Sequence, residues 1–169
     1  MSILERPNAR DASPATRKTH EADTRVKSNI SVNGEYRLLV LNAPQSILNC
    51  QPGQFFHLLC PVTSAHQPYL RRPMSIYGYS AEKDELQFLY KVTGEGTRAL
   101  AELKVGDTLN VLGPLGVGFT IEPEWQNLLL LARGVGLATL APLAQEAKRL
   151  GRKLTAICSA RSQDVLMSI

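Results

Sequence analysis

Leu70-Arg71-Arg72-Pro73-Met74-Ser75-Ile76-Tyr77 runs on through the turn signal Lys83-Asp84 into Leu86-Gln87-Phe88-Leu89-Tyr90-Lys91-Val92. Two short strands joined by a tight polar turn predict antiparallel pairing and leave no room for a crossover helix. Pro73 fixes its own φ and biases Arg72 towards extended backbone. A strand from Pro73 to Tyr79 is therefore expected, with Arg72 and Ser75 at a nearly constant separation. A guanidinium on a stiff strand suits a phosphate, because its planar fork bonds two anionic oxygens and stays charged at any working pH. The same arginines on a solvated strand edge would look identical in isolation, so the neighbouring sequence has to decide.

Upstream, residues 1 to about 22 contain almost no aromatic or β-branched residues and are expected to form a disordered tail. From Arg25 the pattern changes: Asn33-Gly34 is a turn signal before the buried strand Tyr36 to Leu41. Pro52-Gly53 marks another turn before the strand Gln54 to Cys60, halted by Pro61. Short strands at about ten-residue spacing predict an antiparallel barrel or sandwich.

Downstream, Thr93-Gly94-Glu95-Gly96-Thr97 feeds a short helix through Leu103, with Thr97 read as its N-cap. Glycines there let backbone N–H groups approach an anion closely. Gly113-Pro114-Leu115-Gly116 reads as a second glycine-rich turn at a crowded barrel exit, and Glu122-Pro123-Glu124 as a domain boundary. The apolar run Leu128 to Ala132 is expected to be a strand buried on both faces of a parallel sheet. A glycine turn, Arg133-Gly134-Val135-Gly136-Leu137-Ala138-Thr139, follows it. Next come a helix whose apolar face is Leu140, Leu143, Ala147 and Leu150, a cap at Gly151, and a strand Leu154 to Cys158. This is a βαβ unit whose turn lacks the third glycine of a dinucleotide fingerprint.

Composition narrows the function classes. Net charge is +4, but the basic residues are scattered and not interleaved with aromatics, so nucleic acid is not an expected partner. No apolar run approaches the roughly 20 residues that span a bilayer, and the polar N-terminus lacks an apolar signal core, so neither a membrane partner nor secretion is expected and a cytoplasmic protein is. Cys50, Cys60 and Cys158 lack paired spacing, and His20, His57 and His66 share no common spacing. No metal site follows from either set.

Together Arg72-Pro73-Met74-Ser75, Leu89-Tyr90-Lys91, Gly94-Glu95-Gly96-Thr97, Gly113-Pro114-Leu115-Gly116 and Gly134-Val135-Gly136-Leu137-Ala138 resemble the ferredoxin–NADP reductase superfamily. The likeness is closest to the electron-transfer subunit of dihydroorotate dehydrogenase. It implies a β-barrel plus α/β fold: an antiparallel Greek-key FAD-binding barrel over residues 23–122, followed by the start of a Rossmann-like NAD(P)-binding domain over residues 126–169. It also implies a flavin-dependent oxidoreductase that moves electrons between NAD or NADP and a partner redox centre or catalytic subunit.

Carried over by position, Arg72 and Pro73 belong to the flavin motif, with Arg72 on the FAD pyrophosphate and Ser75 near the reactive nitrogen of the isoalloxazine. Met74, Leu89, Tyr90 and Lys91 would line the ring. Gly96 and Thr97 would offer backbone donors to the phosphates, and Gly134, Gly136 and Leu137 would face the nicotinamide dinucleotide. No catalytic acid or base is implied. In the family a run of glycines opens the nucleotide loop, whereas here Ala132-Arg133 stand before Gly134. The strands that complete the nicotinamide pocket and the cysteine cluster of a [2Fe–2S] centre do not follow, so no iron–sulfur cluster is expected in this chain as given. The chain is either a fragment of a longer reductase or a shortened homologue completed by a partner. A non-catalytic β-barrel interaction module, or a truncated homologue that binds no cofactor productively, stays open as the second reading.

Overall fold

The structure, a computed structural model, describes residues 18–167. The expected tail lies outside the described residues up to residue 17, whereas His20–Ala22 already begin the first strand. That strand, β1 (His20–Ser31), alternates exposed and inward residues, with Thr24 and Val26 buried and Asp23, Arg25 and Lys27 facing out. Thr24 is accommodated because its Oγ1 donates to Leu109 O at 2.7 Å. Asn33 Oδ1 accepts from the N–H groups of Glu35 and Tyr36, both at 3.0 Å, and so builds the turn into β2 (Tyr36–Asn42).

The remaining strands of this sheet are β3 (Phe55–Leu58), β4 (Arg72–Ser75), β5 (Gly78–Ser80), β6 (Glu85–Lys91) and β7 (Thr108–Leu115). Helix α1 (Glu95–Ala101) connects the last two. The sheet is antiparallel throughout in the order β4-β3-β7-β1-β2-β6-β5. The single strand expected from Pro73 to Tyr79 is two strands at opposite ends of that order. Only Ile76 and Tyr77 lie between them: Ile76 N–H donates to Gln54 O at 3.1 Å and Tyr77 N–H to Gln87 O at 2.9 Å, so the chain steps from one edge to the other. Two residues cannot cross a flat sheet, so the sheet curls until its edges meet, which is the Greek-key barrel expected.

Inward residues fill the barrel: Leu39, Leu41, Phe56, Leu58, Ile76, Leu86, Phe88 and Val111 are fully buried. Phe56 meets Phe88 edge to face at 5.9 Å. Gly113 to Leu115 belong to β7 and not to a turn. The crowding expected there is real, since a Cβ on Gly113 would fall 2.3 Å from Phe56 Cδ1.

A βαβ unit follows: β8 (Asn127–Arg133), α2 (Leu137–Arg149) and β9 (Lys153–Ser159), with β8 and β9 parallel. Gly151, at φ 67°, ends α2 in a Schellman arrangement, its N–H donating to Lys148 O while Arg152 N–H donates to Ala147 O. Two expectations change here. The buried residues of α2 are Leu137, Ala138, Ala141, Pro142, Ala144 and Ala147, while Leu150 is exposed. The small side chains let the helix lie close to β8, β9 and the barrel. Strand β8 buries only Leu130 and Ala132, on the face towards α2, and leaves Leu129 and Leu131 exposed. No helix among the described residues is long and apolar enough to cross a membrane.

Candidate functional site

Four segments converge on one cleft of about 350 Å³. Strand β4 contributes Pro73, Met74 and Ser75, and β6 contributes Leu89, Tyr90 and Lys91; Thr93 and Thr97 flank the start of α1. From the βαβ unit come Val135, Gly136, Ala138 and Thr139. Of the residues singled out in the sequence, Arg72 and Gly96 stand directly before lining residues. Gly134 and Leu137 lie elsewhere: Gly134 packs at the Tyr36 hydroxyl, and Leu137 is buried beside a separate hollow with Tyr77 and Leu166. Val135 and Ala138 belong to the expected Gly134–Ala138 loop, whereas Thr93 and Thr139 were not foreseen as site residues. Thr139 Oγ1 donates to Ser75 Oγ at 2.9 Å, a bond across 64 residues of sequence between the barrel and α2.

The two arginines do different things. Arg71 Nη2 donates to Asn110 Oδ1 at 2.7 Å and pairs with Glu21, while Nη1 donates to His57 O at 3.4 Å. It is a strut across β1, β3 and β7. Arg72 bonds only backbone oxygens, those of Leu70 and Arg71, and makes no ion pair among the described residues. Its side chain lies over Gly96, where a Cβ would come within 2.7 Å of Nε.

Gly94, and not Thr97, is the N-cap of α1. Thr97 sits at the third helical position, where its Oγ1 accepts from the N–H groups of Thr93 at 2.9 Å and Gly94 at 3.0 Å. The first intrahelical bond runs from Arg98 N–H to Gly94 O at 2.9 Å, so the N–H groups of Glu95, Gly96 and Thr97 come before the ladder begins. The loop that leads to Arg72 is tied to the same helix, because Gln67 N–H donates to Glu95 Oε1 at 2.9 Å. That bond, followed by the His66 and Arg98 charges, lowers the Glu95 pKa. His66 does have acidic neighbours in space, with Nδ1 at 3.6 Å from Glu95 and Nε2 at 3.5 Å from Glu102.

Lys91 borders the cleft with its ammonium held by Glu35 at 2.7 Å, and Glu35 also pairs with Arg161 after β9. Tyr90 is 2% exposed and its hydroxyl donates to Asn29 Oδ1 at 3.0 Å; burial raises its pKa. Among the described residues, no carboxylate, imidazole or thiol lines the cleft. The shape and lining of such a site suit a flat, largely apolar group against hydroxyls, with a cation and backbone donors beside it that suit an anion.

Residues 22–119 match the oxidoreductase FAD-binding domain family. The chain belongs to that family. Similar proteins include the electron-transfer subunits of NAD-dependent dihydroorotate dehydrogenase B from Desulforamulus reducens, 38% identical over 72% of this chain and 46% of the relative, and from Bacillus cereus strain Q1, 39% identical over 69% and 45%. The chain thus spans about half the length of the curated relatives it matches. Among solved structures, that of an NADH-dependent reduced ferredoxin–NADP oxidoreductase superposes with a TM-score of 0.74 at 28% identity, covering 86% of this chain and 51% of the other. The ferredoxin reductase of carbazole 1,9a-dioxygenase shares the fold, at a TM-score of 0.75 and 21% identity over 88% and 45% of the two chains. The FAD-binding domain therefore carries the cleft between β4, β6 and α1, and the βαβ unit closes it from the other side.

Proposed function

We propose that this chain is an electron-transfer module that binds FAD in the cleft and passes electrons between NAD(P)H and a partner redox centre. The observation that carries the reading is the Arg72 guanidinium, which makes no ion pair among the described residues, lying on Gly96 next to a largely apolar cleft bordered by hydroxyls. Bound FAD supplies the two-electron chemistry. Arg72 and the first N–H groups of α1 would hold its pyrophosphate, while Met74 and Leu89 would line the ring and Ser75 would offer it a hydroxyl. Beyond Cys60, whose sulfur also lies against Gly96, a hollow with Leu59, Pro61, Val62 and Tyr69 gives the adenosine end room.

The loop from Gly134 to Ala138, of which Val135, Gly136 and Ala138 border the cleft, would hold the nicotinamide dinucleotide for hydride transfer to the flavin. Leu137, buried within that loop, fixes the start of α2. Arg161, which follows the second parallel strand, pairs with Glu35. The partner is a redox protein or a catalytic subunit, in keeping with relatives that are named electron-transfer subunits. The free thiols Cys50, Cys60 and Cys158 fit a reducing cytoplasm.

The test is spectroscopic. Purified protein should be yellow, release FAD on heat denaturation, and bleach on anaerobic addition of NADH or NADPH once completed by its partner. A colourless chain that FAD cannot reconstitute would leave the non-catalytic interaction module as the better account.

A further inference from the structure

The bond from Thr139 Oγ1 to Ser75 Oγ joins the third residue of α2 to the last residue of β4. Both side chains border the cleft, both are half-buried, and neither makes another side-chain hydrogen bond among the described residues. A helical threonine ordinarily turns its hydroxyl back to the carbonyl four residues earlier, here that of Val135. Thr139 bonds a serine of the other half of the molecule instead.

We propose that Thr139 is a positioning residue that sets the direction of the Ser75 hydroxyl towards the flavin and thereby tunes the flavin's redox potential. The inference rests on the reading that the isoalloxazine of FAD occupies this cleft. A hydroxyl carries one proton and two lone pairs, and its proton rotates to suit its partners. While Thr139 donates to Ser75, the Ser75 proton is free for an acceptor in the cleft, which is what the reactive ring nitrogen of oxidised flavin presents. In reduced flavin that nitrogen carries N–H. Ser75 must then accept, and its own proton needs another oxygen. Thr139 Oγ1 provides it once the threonine hydroxyl has turned to the Val135 carbonyl. The pair thus serves both redox states.

Removing the Thr139 hydroxyl affects the two states unequally. Ser75 keeps its donor role towards oxidised flavin, but its proton is stranded when the flavin is reduced, and a stranded donor costs more than a spare lone pair. Reduced flavin is disfavoured and the midpoint potential falls. At a fixed potential the reduced-to-oxidised ratio should drop about fivefold, the effect of one neutral hydrogen bond, or about 20 mV at 29.6 mV per tenfold.

The experiment is an anaerobic spectroelectrochemical titration of the FAD-loaded chain. The variants are Thr139→Val, Thr139→Ala, Thr139→Ser and Ser75→Ala, with Thr139→Val also made in the Ser75→Ala background. The expected result is a lowered potential in Thr139→Val and Thr139→Ala, a wild-type potential in Thr139→Ser, and no further shift from Thr139→Val when Ser75 is already alanine. An unchanged or raised potential in both hydroxyl-free variants, or the same shift in the Ser75→Ala background, overturns the inference. A wild-type chain that takes up no FAD removes the reading of the cleft and this inference with it, an outcome seen before any variant is compared.

Discussion

A Cβ atom on Gly96 would stand 2.7 Å from Arg72 Nε, 2.9 Å from its Cγ and 3.1 Å from Cys60 Sγ. Only glycine lets the arginine lie flat on the start of α1, which puts the cation beside the first backbone donors of that helix. Gly96→Ala should push the guanidinium aside and weaken FAD binding by at least about tenfold, roughly 1.4 kcal/mol. Alanine is the better helix former by up to about 1 kcal/mol, so the melting temperature should hold. Quenching of flavin fluorescence and a thermal melt measure the two effects on one sample.

Arg71→Ala should do the reverse. Its guanidinium bridges Glu21, Asn110 and the His57 carbonyl, partners on three strands. Exposure of Glu21 discounts the ion pair, so a loss of about 1–2 kcal/mol is expected from the remaining charged hydrogen bonds. FAD affinity should stay within about threefold, a change of under 1 kcal/mol. Denaturant titration and FAD titration of Arg71→Ala separate strut from ligand.

Gly113 lies against the ring of Phe56, with a virtual Cβ 2.3 Å from Cδ1 and 2.6 Å from Cε1. Phe56 is wholly buried and cannot retreat. Gly113→Ala should cost about 1–3 kcal/mol by overpacking, whereas Gly34→Ala, with nothing within 4 Å, should change little. Urea midpoints of the two variants make the comparison.

Burial pushes the Cys50 thiol up from 9.0 to about 12, and its sulfur donates to the Ile47 carbonyl at 3.2 Å. Above pH 9 the unfolded chain loses this proton while the folded chain keeps it, so stability is full below pH 9 and falls as pH rises towards 12. Cys50→Ala should flatten that fall by up to about 1.4 kcal/mol per pH unit, read from urea unfolding on either side of pH 9.

The parts of the site legible in the sequence are those whose residues are close along the chain. Arg72 to Ser75 and Gly94 to Thr97 announce a cation, a hydroxyl and a glycine approach within a few positions, and the family resemblance added the ligand proposed for them. Continuity misled where the chain changes edge: Ile76 and Tyr77 continue an apolar strand pattern, and nothing local shows that they carry it across the barrel. Leu128 to Ala132 are apolar throughout, so their composition could not reveal that Leu129 and Leu131 are exposed. Thr139 meets Ser75 only because α2 packs on the barrel, and Arg71 finds Glu21 and Asn110 only through sheet order. Such contacts depend on topology, which periodicity does not encode.

The central claim is that Arg72 holds the pyrophosphate of FAD beside the cleft. The most direct measurement is calorimetric titration of FAD and of riboflavin, which lacks phosphate, into the wild-type chain and Arg72→Ala. The account predicts that Arg72→Ala loses about 1.5–3 kcal/mol of FAD affinity, the worth of a charge-assisted hydrogen bond, with riboflavin affinity and melting temperature unchanged. Equal FAD affinity in the two proteins, or an equal loss for riboflavin, would contradict it.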